Sequence, residues 1–172
     1  ALPGVAESWS VDAAGTRYTF RLRDDARWSD GMRVVAPEFV RGMQRVVDPA
    51  VASPSADLLR VVRNADAVLA GLAPPNALGV TATDDSTLVI DLARPAPYLL
   101  DLLSTAVAYP LHVAAAGRKS IVAGAAGVVT NGPYVLAERR IGSHLTLRRN
   151  PHYWRAGTVP IPEVRFFPVA DE

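Results

Sequence analysis

The residues best suited to acid–base or metal chemistry are three histidines and two pairs of adjacent aspartates. His112, His144 and His152 lack the short, regular spacing that ligands of one metal ion show. Asp24–Asp25 and Asp84–Asp85 could each bring two carboxylates together, as general acid–base catalysis requires. Both pairs flank predicted strands in turns, where aspartate commonly accepts hydrogen bonds from nearby backbone. We therefore interpret the aspartates as structural and predict no metal site and no catalytic residue.

The sequence also lacks the motifs of common enzyme classes. It has no G-x-S-x-G nucleophile elbow, no phosphate-binding loop and no G-x-G-x-x-G dinucleotide fingerprint. It has no cysteine, which excludes disulfides, thiolate metal sites and a cysteine nucleophile. We expect neither an enzyme nor a cofactor, and a hydrolase is the least favoured function.

Composition is that of a globular chain. Of the 172 residues, 49% are hydrophobic and 20% charged, and the net charge is +1. No basic stripe stands out, so we expect no nucleic-acid partner. No apolar run approaches the ~18 residues of a membrane span. The chain lacks an initiator methionine and a secretion signal, so we expect it to be a piece of a longer protein.

A strand followed by a tight loop organises the first part of the chain. Tyr18, Phe20 and Leu22 alternate with arginine and threonine, a pattern typical of a strand with one buried face. We expect Trp28 to anchor the following loop to the core. Residues 29–31, Ser-Asp-Gly, form a turn sequence.

Helical and strand patterns alternate along the rest of the chain and predict a mixed α+β fold. Apolar residues at helical spacing predict a helix over 37–47, preceded by Val35, which is a poor N-terminal cap. The other expected elements are a loop with a short helix or turn over 1–10, a helix over 53–70, a hairpin of 78–83 and 87–92, a short helix over 98–103, a loop with a weak helix over 114–127, a hairpin of 133–140 and 144–149, and a strand over 163–169. A change of character after Tyr109–Pro110 predicts a domain boundary near 110–115.

Several blocks in this order carry a resemblance to a known family. They are P-G-V-A-E-S-W (3–9), Y-T-F-R-L-R-D-D-A-R-W-S-D-G (18–31) with V-V-A-P-E-F-V (34–40) and Q-R-V-V-D-P (44–49), L-G-V-T-A-T-D-D-S-T-L (78–88), P-A-P-Y (95–98), V-T-N-G-P-Y (129–134) and R-N-P-H-Y-W (149–154). The sequence resembles the extracytoplasmic solute-binding proteins of peptide ABC importers, and the oligopeptide-binding branch above all.

The resemblance implies a fold and a division of the chain. The fold would be a fragment of the type II periplasmic-binding-protein fold. Residues 1–112 would form the small β-rich inserted lobe, and residues 113–172 would form part of the first large, hinge-bearing lobe. The second large lobe, which supplies much of the peptide cleft, would be absent. The protein would act on the periplasmic or extracellular face of a bacterial membrane, with an oligopeptide as ligand and membrane permease subunits as partners.

The resemblance also points to four candidate ligand-binding residues. Ser55 stands where relatives often carry a tyrosine that reaches the peptide, and Thr105 lies near another small-lobe contact. Asn131 and Gly132 belong to a block near the cleft, although a tight turn made possible by Gly132 and Pro133 is the favoured interpretation of this block. A serine keeps a hydroxyl but loses the reach and apolar area of a ring, so specificity cannot be copied from the family.

The sequence leaves three functions open besides the hydrolase. The favoured one is peptide binding for transport, preferred over nickel because the oligopeptide-type blocks match best and the sequence shows no metal cluster. The second is a ligand-sensing module of a regulatory or signalling protein. The third is a scaffold that binds nothing because its cleft is incomplete. An incomplete cleft also predicts weak peptide binding by the isolated chain and self-association through an exposed apolar interface.

Overall fold

The chain folds into two compact units. A computed structural model describes residues 2–115 and 128–168. The first unit comprises residues 1–24 and 35–113, and the second comprises residues 25–34 and 114–172. The loop at 25–34 therefore belongs to the second unit, although the family resemblance placed it in the first lobe. The identity of each unit with a lobe of the resembled fold stays a prediction.

The first unit contains a four-stranded antiparallel sheet. Its strands are β1 (Ala6–Val11), β2 (Arg17–Leu22), β3 (Val80–Asp84) and β4 (Thr87–Asp91), in the spatial order β1-β2-β4-β3. On β2, Tyr18, Phe20 and Leu22 are buried while the residues between them are more exposed, which confirms the predicted alternation. β3 and β4 form the predicted hairpin.

Helices complete the first unit. They are α1 (Ala36–Val47), α2 (Ala65–Leu69) and α3 (Leu99–Leu102), together with 3₁₀ helices at Ala56–Val61, Pro75–Ala77 and Ala106–Ala108. A further 3₁₀ helix, Val113–Ala115, begins at the last residue of the unit. α1 packs on β3 and β4, and its buried residues include Met43 and Val47. As predicted, Val35 provides no side-chain cap. Instead, its backbone N–H donates to Glu38 Oε2 at 3.1 Å, so the helix supplies its own first-turn bond.

The helix predicted over 53–70 is wrong as one element. It is divided into the 3₁₀ helix Ala56–Val61 and α2, and the chain between them is extended. There Val62 forms an isolated antiparallel bridge to Leu92, and the Arg63 N–H donates to the Asp91 carbonyl at 2.8 Å. Asn64 then adopts a left-handed conformation with φ of 66°. Pairing with β4 therefore outweighs the helical pattern of the apolar side chains.

The first ten residues also differ from the prediction. Residues 6–10, expected as part of a loop with a short helix or turn, form β1 together with Val11 and pair with β2. Trp9 packs against the core, but the strand is largely exposed. With few apolar side chains to alternate, β1 shows little periodicity, and its backbone pairing with β2 determines its structure.

One carboxylate links β2, β4 and the segment after Val62. Asp91 Oδ1 accepts a hydrogen bond from Arg17 Nε at 2.6 Å, and Asp91 Oδ2 accepts one from Arg17 Nη2 at 3.2 Å. Arg63 Nη2 lies 2.8 Å from the same Oδ2 atom. The Arg17 hydrogen bond, and next the charges of Arg63 and Arg17, lower the pKa of Asp91 from its ordinary value although partial burial opposes them.

The second unit contains a three-stranded antiparallel sheet. Its strands are β5 (Tyr134–Arg140), β6 (His144–Arg149) and β7 (Glu163–Phe166), in the order β5-β6-β7, and a 3₁₀ helix at Ala156–Thr158 precedes β7. The predicted hairpin around residues 141–143 is confirmed. Trp28 is 3% exposed, as expected of an anchor. The predicted last strand ends at Phe166 within the described part of the chain.

These elements confirm the α+β fold class. The weak helix predicted over 114–127 lies mostly outside the described residues, which resume at 128. Within the described ranges, no helix has the length and apolarity needed to span a membrane.

Candidate functional site

Two of the four predicted site residues lie in the first unit, each immediately before a 3₁₀ helix. Ser55 precedes the 3₁₀ helix Ala56–Val61, and Thr105 precedes the 3₁₀ helix Ala106–Ala108. These two short helices contact each other, and both contact α1. The fold therefore joins, through one cluster of helices, two residues that are fifty positions apart in sequence.

The hydroxyl groups of these two residues are used differently. Thr105 is exposed, and its Oγ1 donates to the carbonyl of Leu102 at 2.7 Å. That hydroxyl proton is engaged within the chain, although the oxygen can still accept a hydrogen bond. Ser55 is half-buried, and its backbone N–H faces Ser53 Oγ at 3.4 Å. Neither residue offers the extended apolar surface that a tyrosine would provide.

Asn131 and Gly132 belong to the second unit, where hydrogen bonds hold the backbone around them. The Gly132 N–H donates to Thr130 Oγ1 at 3.1 Å. Thr130 in turn exchanges bonds with Ser29, since the Ser29 N–H donates to the Thr130 carbonyl at 2.7 Å and the Thr130 N–H donates to Ser29 Oγ at 3.2 Å. The Asn131 side chain is half-buried and makes no hydrogen bond within the described residues, so its amide can still bind a ligand.

Asn150 is the principal residue of this segment that sequence reasoning missed. It is completely buried. Its Nδ2 donates to the Gly132 carbonyl at 2.9 Å, while its Oδ1 accepts from the His152 N–H at 3.0 Å. Its own N–H donates to the Pro133 carbonyl at 2.9 Å. An Asn-Pro dipeptide commonly begins a turn, and that signal could have pointed to Asn150 as the residue that fixes the Asn131–Gly132 backbone.

Among the histidines and paired aspartates, the structure shows a turn role for Asp84. Within the described residues, no group of three or more metal-ligating side chains could hold a metal ion. Asp84 accepts from the Ser86 N–H at 2.7 Å, and that bond lowers the pKa of Asp84 first among several causes. This is the turn role predicted for that pair. His112 is buried, and the other two histidines lie in the second unit.

A hydrogen-bonded chain of three side chains lies at the turn between β5 and β6. His144 Nε2 is 3.2 Å from Glu138 Oε2, and His144 Nδ1 is 3.0 Å from Ser143 Oγ. The His144 hydrogen bond, followed by that of Arg140, lowers the pKa of Glu138. A carboxylate, an imidazole and a hydroxyl bonded in this order also occur in nucleophile-activating triads. Here, however, Ser143 and His144 are adjacent residues, and the hydrogen bonds close the turn between β5 and β6. We therefore interpret these hydrogen bonds as stabilising the hairpin.

The same end of the sheet has a cavity of about 360 Å³. Its walls include the apolar side chains of Ile141, Leu145, Phe166 and Phe167. Ile141, Phe166 and Phe167 are largely exposed. Within the described residues, Ile141, Phe166 and Phe167 thus form an exposed apolar surface at this end of the sheet.

Comparisons with known proteins agree on one family. The family model described as bacterial extracellular solute-binding proteins, family 5 Middle, matches residues 1–172. The periplasmic oligopeptide-binding protein OppA of Escherichia coli is 41% identical over 175 aligned residues, which cover 99% of this chain and 32% of that protein.

Solved structures agree as well. The murein tripeptide-binding protein MppA of Escherichia coli has a TM-score of 0.91 at 37% identity, covering 98% of this chain and 33% of that one. OppA of Haemophilus influenzae, solved in complex with the peptide RPPGFSPFR, has a TM-score of 0.88 at 36% identity. The match covers 96% of this chain and 33% of that one. The chain thus spans about a third of the length of the relatives it matches.

Proposed function

Because the chain belongs to the bacterial extracellular solute-binding proteins of family 5, we propose that it forms part of an oligopeptide-binding component of an ABC importer. The observation that carries this proposal is the family match over residues 1–172, together with relatives that are named for binding peptides. The chain then serves binding and not catalysis. In this function the half-buried Asn131 amide and the helix cluster next to Ser55 and Thr105 would contact the bound peptide.

The proposed mechanism follows from the physics of ligand-driven closure. A peptide that contacts more than one lobe stabilises the closed form by its extra affinity for that form. Recognition of varied peptides needs hydrogen bonds to the peptide backbone and roomy, hydrated pockets for side chains. The Asn131 amide suits the first requirement, since it could bind the peptide backbone whatever the peptide sequence, while Gly132 helps to hold the main chain beside it.

The partners and location follow from the same proposal. The liganded protein would dock on the membrane permease subunits of the importer, on the extracytoplasmic face of the membrane. This location rests on relatives that are named periplasmic binding proteins.

The test of the proposed function is calorimetric titration of the full-length gene product that carries this chain. The ligands are tri- to pentapeptides of mixed sequence, with free amino acids and nickel ions as competing ligand classes. We expect dissociation constants near the micromolar range, about −8 kcal/mol, for at least some peptides. Absence of peptide binding, or tight binding of nickel alone, would overturn the proposal.

The 172-residue chain by itself should bind peptides poorly, because it spans about a third of its relatives' length and Ser55 lacks a ring. Titration of this isolated chain with the same peptides should give no measurable heat at micromolar concentrations. Micromolar binding by the isolated chain would show that these 172 residues already contain a sufficient site.

We also propose that the isolated chain self-associates through the apolar surface formed by Ile141, Phe166 and Phe167. Ile141 is 91% exposed and both phenylalanines are more than half exposed, an arrangement typical of surfaces that pack against other protein. Sedimentation velocity should show a concentration-dependent increase in mass, and Phe166→Ser with Phe167→Ser should reduce it. A strictly monomeric chain at high concentration would contradict this.

A further inference from the structure

Tyr109 is an exposed aromatic residue whose backbone is firmly held. It ends the 3₁₀ helix Ala106–Ala108, and its side chain is 65% exposed. Within the described residues its hydroxyl has no hydrogen-bond partner. Exposed single apolar residues are common, so the exposure alone means little. What distinguishes Tyr109 is the way in which the chain around it is fixed.

Contacts to α1 and to the preceding turn fix the Tyr109 main chain. The Tyr109 N–H donates to the Ala106 carbonyl at 3.2 Å, and the Leu111 N–H donates to the Glu38 carbonyl at 2.9 Å. The Tyr109 carbonyl oxygen packs so closely on Gly42 that a Cβ there would clash with it. Pro110 further restricts the backbone, since its ring fixes φ. The ring is therefore presented to solvent from a pre-organised backbone, which lowers the entropic cost of binding.

The position of Tyr109 connects it to the candidate ligand residues. The 3₁₀ helix that ends at Tyr109 begins after Thr105, and it contacts the helix that begins after Ser55. A tyrosine ring is thus present on the same helix cluster in which position 55 has only a hydroxymethyl group. A ring of this kind can pack on aromatic and large apolar side chains.

We propose that Tyr109 is a specificity-determining residue that packs on an aromatic or large apolar side chain of the bound peptide. This inference rests on the proposed peptide-binding function and names the peptide class it favours. Tyr109 supplies aromatic surface from the helix cluster of the first unit, in place of the ring that Ser55 lacks. Peptides with phenylalanine at one defined position are then preferred over those with alanine there.

The experiment measures peptide preference in the full-length gene product. The four probes are Ala-Ala-Ala, Phe-Ala-Ala, Ala-Phe-Ala and Ala-Ala-Phe, titrated against the unaltered protein and against Tyr109→Ala, Tyr109→Phe and Leu72→Ala. We expect a preference for phenylalanine of roughly five- to tenfold at one position. Tyr109→Ala should abolish this preference, while Tyr109→Phe should retain it because it keeps the ring. Leu72→Ala, at a residue 83% exposed in a loop, should leave it unchanged.

The outcomes separate this inference from the proposed function. If the unaltered protein binds the tripeptides without preference, or if Tyr109→Ala keeps the preference, the role of Tyr109 is overturned while peptide binding stands. If the unaltered protein binds no peptide, both fail together. Circular dichroism of each variant confirms folding, and Tyr109→Phe gives a second variant that preserves the ring.

Discussion

The carbonyl oxygen of Tyr109 packs directly on Gly42 in the middle of α1, where no side chain would fit. Glycine inside a helix costs about 1 kcal/mol relative to alanine. At this position the absence of a Cβ allows the segment after the 3₁₀ helix Ala106–Ala108 to approach the helix backbone. Tyr109 lies in this segment and Thr105 immediately precedes the same 3₁₀ helix, so the glycine helps to determine where this part of the candidate site lies.

Gly42→Ala should therefore destabilise the chain. The introduced methyl group meets a backbone carbonyl, which cannot move aside as a flexible side chain could. We expect the free energy of unfolding to fall by about 1–3 kcal/mol, in spite of the better helix propensity of alanine, as measured by urea denaturation. Gly157→Ala is the control, because a Cβ at Gly157 meets no atom within 4 Å. An unchanged midpoint for Gly42→Ala would show that the segment shifts at no cost.

Asp91 should make stability depend on pH at acidic values. Its pKa lies below the ordinary 3.8, chiefly because of the Arg17 hydrogen bond. A carboxylate with a lowered folded-state pKa stabilises the protein above its unfolded-state pKa, and this contribution disappears as pH falls through the folded-state value. Asp91→Asn should cost about 1–3 kcal/mol at pH 7. The difference in free energy of unfolding between Asp91→Asn and the unaltered chain, measured by urea denaturation, should shrink below about pH 4.

Asp57 offers a matched control for that experiment. It binds Arg60 at 2.8 Å, but its side chain is 78% exposed. Ion pairs at the surface contribute little because solvent screens them, so Asp57→Asn should leave the free energy of unfolding nearly unchanged at pH 7. Equal losses for the two variants at pH 7 would contradict a special role for Asp91.

Local pattern predicts the fold where burial follows a regular period. β2 alternates buried and exposed residues, and α1 buries Met43 and Val47 at helical spacing, so both could be recognised from sequence. β1 and the Val62 bridge could not, because β1 is defined by its backbone pairing with β2 and the bridge by pairing with Leu92, thirty residues further along the chain. Side-chain periodicity carries no information about such pairing when the strand is exposed or only one residue long.

The candidate site was accessible to sequence reasoning only in part. Resemblance to a family could indicate Ser55 and Thr105, but their association depends on contact between two 3₁₀ helices, which no local pattern reveals. Two hydrogen bonds are equally invisible in the sequence, because they depend on the folded backbone. They are the bond from Thr105 Oγ1 to the Leu102 carbonyl and the bond from Asn150 Nδ2 to the Gly132 carbonyl. Tyr109 was noted only as a boundary residue, because exposure cannot be read from the residue type.

Asn150→Asp should destabilise the second unit in a pH-dependent way. At neutral pH the introduced carboxylate replaces a donor with an acceptor, facing the Gly132 carbonyl in a completely buried position. We expect a loss of about 3 kcal/mol or more in the free energy of unfolding at pH 7, since a buried charge lacks compensation.

Lowering the pH should partly rescue Asn150→Asp. Burial raises the folded-state pKa of the introduced carboxyl, so its penalty grows as pH rises and is smallest where the group is protonated. A protonated carboxyl can also donate to the Gly132 carbonyl. Asn76→Asp, at an exposed position, should show neither the loss nor the rescue. Urea denaturation at pH 4 and pH 7 measures both, and a pH-independent loss would contradict this explanation.

Ser55→Tyr should strengthen peptide binding by the full-length gene product. The new ring would begin at the same turn from which relatives are expected to reach the peptide, and it would add apolar area that serine lacks. We expect the dissociation constant for Ala-Ala-Ala to fall by roughly five- to tenfold in calorimetric titration. Ser10→Tyr, at an exposed position on β1, should have no such effect. An unchanged affinity for Ser55→Tyr would place position 55 outside the ligand contact surface, and the same change with Ser10→Tyr would indicate nonspecific binding.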